Sequence, residues 1–260
     1  MPIEKSQYEG IYFFNYKNRR TTVTRNLTPG KAFFNEKLIK DNNTEYREFN
    51  PTHSKLGAAI IKRINLIPIK QDDKILYLGA SHGYTPSFVS DIIGKDGMLF
   101  CLDFAPRVVR DLLFICEERE NMIPILADAN KPDTYKNRIT NVDVIYQDIA
   151  QKNQVEILSK NLQFLKPKGY ALLAIKARSI DVTKSPQRIY KEVEEKLKEK
   201  FRVIDKKELD PLQKDHCFFV LQKKWRERFI LIHNITLING RINKNYKREK
   251  VWLLRWVCRI

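Results

Sequence analysis

The chain has 260 residues, 43% of them hydrophobic and 30% charged, and its 48 Lys+Arg against 31 Asp+Glu give a formal charge of +17 and a pI near 9.6. This length supports a full hydrophobic core, and the composition excludes a disordered or fibrous chain. The cationic excess puts polyanions, nucleic acid first, at the head of the expected partners, with a merely solvated basic surface as the alternative.

The N-terminal MPIEKSQYEG lacks the basic-then-apolar pattern of a signal peptide. No apolar stretch approaches the roughly 18 residues needed to span a bilayer, so a soluble cytoplasmic protein with no membrane partner is expected. Residues 1–50 alternate short β-type runs (IYFFNY, TTVTRNL, KAFFNEKLI, TEYREFN) with turn signals such as TPGK and KDNN. They predict a small antiparallel subdomain, too short to stand alone. Ser54 then precedes KLGAAIIKRI, where Leu56, Ala59, Ile60 and Ile64 recur at helical spacing behind a plausible cap.

From residue 75 to 176 the apolar runs ILYLG, MLFCLD, IPILAD, VDVIYQD and YALLAIK alternate with helix-like segments such as SFVSDIIG and RVVRDLLFICEER. Strands buried on both faces and separated by helices predict an α/β fold with a mostly parallel sheet. A helix around QRIYKEVEEKLKEK follows, then FRVIDKKELD and CFFVLQK, which should close the sheet edge as an antiparallel hairpin. Residues 225–260 change character, carrying all three tryptophans, many arginines and a possible Asn239-Gly240 turn, and sequence assigns this basic tail no role. Cys101, Cys116, Cys217 and Cys258 show no CxxC pair or metal-ligand spacing; they read as reduced core thiols, and no metal is expected.

In an open α/β sheet ligands bind beyond the carboxyl ends of the strands, so the residues ending each apolar run are the candidates for chemistry. They are the turn from Gly79 to Gly83, then Asp103, Asp128, Asp148 and Lys176. The glycine turn permits close backbone approach ahead of a helix starting near Thr85, although a tight strand-to-helix turn reads the same way. Asp103, roughly 20 residues farther on, stands where an acidic side chain hydrogen-bonds ribose. Phe104 beside it suits an adenine face or a core, and Asp128-Ala129 closes the third strand where a base edge would lie. A nucleoside cofactor without a pyrophosphate fits better than NAD, because the GxGxxG fingerprint is absent.

Lys55 sits in the first turn of its helix, where a cation opposes the macrodipole at a cost of roughly 0.3 kcal/mol. Lys176 interrupts an apolar strand end; burial beside a second ammonium would lower its pKa from about 10.4 towards the roughly 7 to 8 of an efficient base. His216 opens the last strand, where a packed or capped histidine is the commoner reading.

EYREFNPTHSKLGAAI, YLGASHGYTPSFVSDIIG, LDFAPRVVRDLL, PILADANKP, DVIYQDIAQ, AIKARSIDVTKSP and KDHCFFV, in this order, resemble fibrillarin, the RNA-guided ribose 2′-O-methyltransferase family, over residues 8–224. The resemblance implies a Rossmann-like class I methyltransferase domain over 51–224 and S-adenosylmethionine as methyl donor. It also implies a catalytic set falling on Lys55, Asp148, Lys176 and His216. Donor contacts would fall on Gly79, Tyr84, Thr85, Asp103, Phe104, Asp128, Ala129, Asp148, Ile149, Ala150 and Gln151. Implied partners are box C/D guide RNA, substrate rRNA or tRNA, a Nop-domain scaffold protein and a kink-turn-binding ribosomal-type protein. The chain departs from the family pattern at His82, Tyr84, Pro86 and Phe88, and Asp103 replaces a glutamate. No glycine–arginine-rich extension of the eukaryotic kind precedes residue 8, so an archaeal form is expected. The rival reading is a catalytically silent RNA-binding subunit of the same fold, motivated by His82, Tyr84 and Pro86.

Overall fold

A computed structural model describes residues 3–17 and 19–224. The tail at 225–260, with its tryptophans and the Asn239-Gly240 turn, lies outside the described residues. Five antiparallel strands come first: β1 (Ile3–Lys5), β2 (Ile11–Tyr16), β3 (Arg19–Arg25), β4 (Leu38–Asp41) and β5 (Thr44–Glu48), in the order β1-β2-β3-β5-β4. The expected run KAFFNEKLI is a strand only from Leu38. Ahead of it the Glu36 carboxylate accepts the N–H groups of Phe33 (3.2 Å) and Phe34 (2.7 Å), which bends this segment into a loop.

Helix α1 (Lys55–Ile61) follows, capped as its sequence predicts, with Ser54 Oγ accepting the Gly57 N–H at 3.2 Å. Strands and helices then alternate: β6 (Lys74–Leu78), α2 (Tyr84–Ile93), β7 (Met98–Asp103), α3 (Pro106–Cys116), β8 (Met122–Leu126), β9 (Val142–Gln147), α4 (Gln154–Asn161) and β10 (Leu165–Lys176). The chain continues through α5 (Ala177–Ile180), α6 (Pro186–Leu197), β11 (Phe201–Glu208) and β12 (His216–Lys223). The second sheet runs β11-β12-β10-β9-β6-β7-β8, parallel from β10 to β8, with β12 antiparallel to β10 and β11 antiparallel to β12.

Period-two alternation sorts each strand between two cores. On β6, Ile75 and Tyr77 face one side while Leu76 and Leu78 face the other; on β12, Phe218 and Val220 oppose Cys217, Phe219 and Leu221. The first core is covered by α1, α2, Leu112 and Ile115 of α3, and Tyr8, Ile11 and Phe49 from the N-terminal segment. The second is covered by Ile157 and Leu158 of α4 and by Ile189, Tyr190, Val193 and Leu197 of α6. Each such buried side chain contributes about 1.5–3 kcal/mol over its exposed state, which is why β6, β7 and β12 carry polar residues only at their ends.

The small sheet does not rest on apolar contact alone. Arg47 of β5, fully buried, pairs with Glu36 (2.6 Å) and with Asp91 of α2 (3.0 Å), and Arg119 after α3 pairs with the other Asp91 oxygen (2.8 Å). Thr24 Oγ1 of β3 also donates to Asp91 (2.8 Å). Both sheets belong to one compact unit that ends at Lys224.

Candidate active site

The direction of chain progression reverses between β6 and β9: from β6 the chain builds outward to β7 and β8, then returns to add β9 and β10 on the other side. At such a switch point the loops leaving the two strands diverge and open a crevice. Here a cleft of about 310 Å³ lies against Gly79 and Ser81 after β6, Leu102, Asp103 and Phe104 at the end of β7, Ala127 to Ala129 after β8, and Asp148 to Gln151 after β9. The volume lies within the usual range for small-ligand sites.

Gly79 fixes how near these loops come. Its φ is +84°, and a β-carbon there would stand 2.4 Å from the Asp148 carbonyl oxygen, so only glycine lets the β6 and β9 loops touch. The expected close approach therefore exists, but it is made to the Asp148 backbone. Asp103 lies across the cleft, its Oδ2 accepting the Ser81 N–H (2.9 Å) and its Oδ1 the Ala105 N–H (3.1 Å). Each carboxylate oxygen keeps a further lone pair for a ligand hydroxyl. Phe104 leaves 66% of its surface exposed beside the apolar Leu102, Ala127 and Ala129, an arrangement that suits a flat heterocycle. Asn130 Nδ2 donates to Gln151 Oε1 at 3.0 Å and so ties the segment after β8 to the one after β9.

Beside the cleft stand the four residues of the implied catalytic set. Lys55 Nζ is 3.0 Å from Asp148 Oδ2, both side chains partly exposed, so the macrodipole cost at the start of α1 is offset by an ion pair. Lys176 and His216 are direct register partners at the paired ends of β10 and β12. Burial holds His216 below its ordinary pKa; a hydrogen bond to the Lys214 carbonyl and the charge of Asp148 oppose this, while Lys55 and Lys176 reinforce it. All three partners thus lie within electrostatic reach of one imidazole. Because a carbonyl only accepts, the 2.7 Å contact with the Lys214 oxygen places the proton on Nδ1 and leaves Nε2 of the neutral ring as an acceptor. Tyr77 and Tyr146 stack at 4.3 Å in the adjoining core, and burial first, then charge, pushes both phenols far above their ordinary range, so neither serves as a base.

Two groups of side chains lie away from the places expected of them. The Lys176 side chain is exposed, because β10 ends there and the chain turns into α5, so the burial expected of it is missing. Tyr84 and Thr85 do not line the cleft. The Tyr84 ring packs edge-on to Phe34 and His53, its hydroxyl accepts the Asn50 N–H (3.2 Å), and burial pushes it up to about 12. Thr85 Oγ1 donates to Ser54 Oγ at 3.0 Å and so docks the start of α1 on α2. Leu102 and Ala127 line the cleft although sequence did not single them out, and Ser81 lines it as part of the expected turn. Leu102 and Ala127 are indistinguishable from core residues in a linear reading, whereas Ser81 lies inside the glycine turn. Among the described residues no three His, Cys, Asp or Glu side chains converge to hold a metal, and no helix is long and apolar enough to cross a membrane.

The Fibrillarin family model matches residues 3–225. A fibrillarin-like rRNA/tRNA 2′-O-methyltransferase of Methanocaldococcus jannaschii is 51% identical over 219 residues, which span 83% of this chain and 95% of that one. The crystal structure of Aeropyrum pernix fibrillarin with natively bound S-adenosyl-L-methionine is similar at 40% identity and a TM-score of 0.79, covering 85% of this chain and 98% of that one. A fibrillarin/Nop5p complex structure matches with a TM-score of 0.77 at 36% identity, covering 85% of this chain and 100% of that one. With residues 3–225, almost the whole described length, matched by the family model, this chain belongs to the fibrillarin family.

Proposed function

We propose that the protein transfers a methyl group from S-adenosylmethionine to ribose 2′-hydroxyls of rRNA or tRNA, directed by a box C/D guide RNA. The observation that carries this reading is the meeting of Lys55, Asp148, Lys176 and His216 at the edge of a cleft with a ribose-suited carboxylate and an exposed aromatic face. The donor fits the residues present: Asp103 has lone pairs for its ribose, Phe104 a face for its adenine, and the Asp148–Gln151 segment a carboxylate for its ammonium group. When bound it supplies a methyl group already activated on a sulfonium. What remains for the protein is to hold the ribose oxygen in line and relieve it of its proton. Lys176, exposed at the rim, orients the hydroxyl; the unprotonated Nε2 of His216 accepts its proton; Asp148 fixes the position of Lys55 through their ion pair.

Two of the substitutions that motivated a silent subunit, Tyr84 and His82, do not obstruct this scheme. Tyr84 faces the N-terminal segment, and His82 pairs with Asp111 of α3 on the surface at 3.6 Å. The scaffold of the complex would be a Nop-domain protein, as in the solved fibrillarin/Nop5p assembly, joined by a kink-turn-binding ribosomal-type protein.

Reconstitution with guide RNA and both partner proteins, followed by mapping of ribose methylation, tests the proposal. Methylation at the guide-specified nucleotide is expected, with Lys176→Ala and His216→Ala each lowering the single-turnover rate by about 10²-fold or more. Near-normal transfer by Lys176→Ala would sink the scheme. A wild-type complex that fails to bind the donor at millimolar concentration would return the protein to the silent class.

A further inference from the structure

The cleft and the catalytic rim are joined by a side chain assigned to neither. Gln154, the first residue of α4, is 1% exposed. Its Oε1 accepts the Lys176 N–H (3.1 Å), and its Nε2 donates to the Gln151 carbonyl (2.7 Å) and, more weakly, to the Lys176 carbonyl (3.4 Å). Its own carbonyl accepts from Nε2 of Gln147 at 2.7 Å. Gln147, fully buried, is the last residue of β9 and the neighbour of Asp148. One hydrogen-bonded chain therefore runs from the end of β9, through Gln154, to the end of β10.

Packing does not account for an amide here. Helix α4 is anchored by Ile157 and Leu158 in the apolar core, and an unbranched apolar side chain would fill the position of Gln154 without bringing polar atoms out of water. What glutamine adds is a donor and an acceptor on one rigid group, here engaged with main-chain atoms of two segments that carry the site. The consequence is greatest for Lys176. Its side chain is exposed, so the placement of its ammonium depends on where its backbone is held.

We propose that Gln154 is a positioning residue for methyl transfer: its buried amide ties the Lys176 backbone to the Gln151 segment, so that the orienting cation and the donor-facing wall keep one fixed separation. This inference rests on the methyl-transfer reading above. Misplacement of a reacting group by about 1 Å can cost on the order of 10²-fold in rate, which sets the scale of the effect.

The test uses the reconstituted complex with Gln154→Met, which keeps length and shape without hydrogen bonds, and Gln154→Glu. For Gln154→Met, kcat at saturating donor and RNA is expected to fall at least about tenfold, with the donor Kd by calorimetry within about threefold of wild type. Exchange of the residue 176 amide proton should accelerate in the same variant. A neutral glutamic acid retains one donor and one acceptor. Gln154→Glu should therefore approach the wild-type rate at low pH and fall away as its carboxyl ionises, a limb that the wild type lacks. A Gln154→Met enzyme that melts earlier yet turns over at the wild-type rate overturns the proposal, as does unchanged exchange at residue 176. Should Gln154→Met not fold, the ratio of Gln154→Glu to wild-type rate across pH decides, a flat ratio being the contrary result. A wild-type complex that binds donor but methylates nothing would instead remove the underlying reading, and the exchange comparison would then decide the tether alone.

Discussion

At the scale of single residues, Gly79 and His216 show two ways in which a site is set before any ligand arrives. Adding a methyl group at position 79 forces it onto the Asp148 carbonyl and asks an L-residue to hold φ at +84°. The Asp148 oxygen is backbone and cannot swing aside, so the two loops must part. Gly79→Ala is expected to destabilise the protein by about 1–3 kcal/mol and to weaken donor binding at least tenfold, checked by thermal melting and calorimetry; an unchanged donor Kd would contradict the contact. His216 acts through its charge state. Its folded pKa lies below the ordinary value of about 6.5, so the unfolded chain binds the extra proton first as pH falls, and the neutral ring's contribution is present above that value and lost between it and the folded pKa. The acid limb of the methylation rate should accordingly lie below pH 6.5, and His216→Gln should remove the matching acid-side loss of stability in denaturant titrations at pH 5 to 7. Most of these positions were legible because packing seldom places a polar residue at the end of an apolar run. Tyr84 and Thr85 show the limit: chain position puts a residue at the rim, while the rotation of its helix decides which way its side chain packs, here towards Phe34, His53 and Ser54.

At the scale of elements, the attachment of the N-terminal sheet depends on charges that sequence patterning does not flag. Asp91 sits near the end of α2, where a carboxylate would ordinarily face solvent, yet it is buried between Arg47 and Arg119. Asp91→Ala leaves two guanidinium groups in the interior with one fewer counter-charge, and a loss of about 3–5 kcal/mol is expected, read as a lower denaturant midpoint. A loss below about 1 kcal/mol would show that water already reaches the network. The same network holds the Glu36 carboxyl below its ordinary range: burial alone would raise it, but Arg47 and the local N–H groups outweigh burial. Strands β6 to β10, β12 and the cap of α1 were plain in the sequence because continuous apolar runs and a Ser cap report buried, local physics. The loop around Phe33 was not, since a side chain three residues away captures its backbone, and α4 is too short and polar at its start for periodicity to reveal.

At the scale of the whole molecule, the question is what the cationic surface does. Residues 225–260 hold nine of the Lys+Arg and two of the acids, so residues 1–224 still carry a net charge of +10. Around the rim, the exposed Lys176, Arg178 and Lys214 lie on the segments that meet at the ends of β10 and β12. The cleft itself is sized for a small cofactor. Phosphate contact without base reading is the division of labour expected when a guide RNA chooses the nucleotide. Such contacts release counterions, so the RNA affinity of the assembled complex should fall steeply with salt, each phosphate contact adding roughly 0.7–0.9 to the slope of log K against log salt. Lys214 separates phosphate contact from chemistry, because its backbone carbonyl, not its side chain, holds His216. Lys214→Ala is therefore expected to lower that slope by about one contact and to weaken substrates of every sequence alike, with the methylated nucleotide unchanged in mapping experiments. A variant that keeps the full salt slope, or that shifts the site of methylation, would show that this flank of the rim does not hold the RNA backbone.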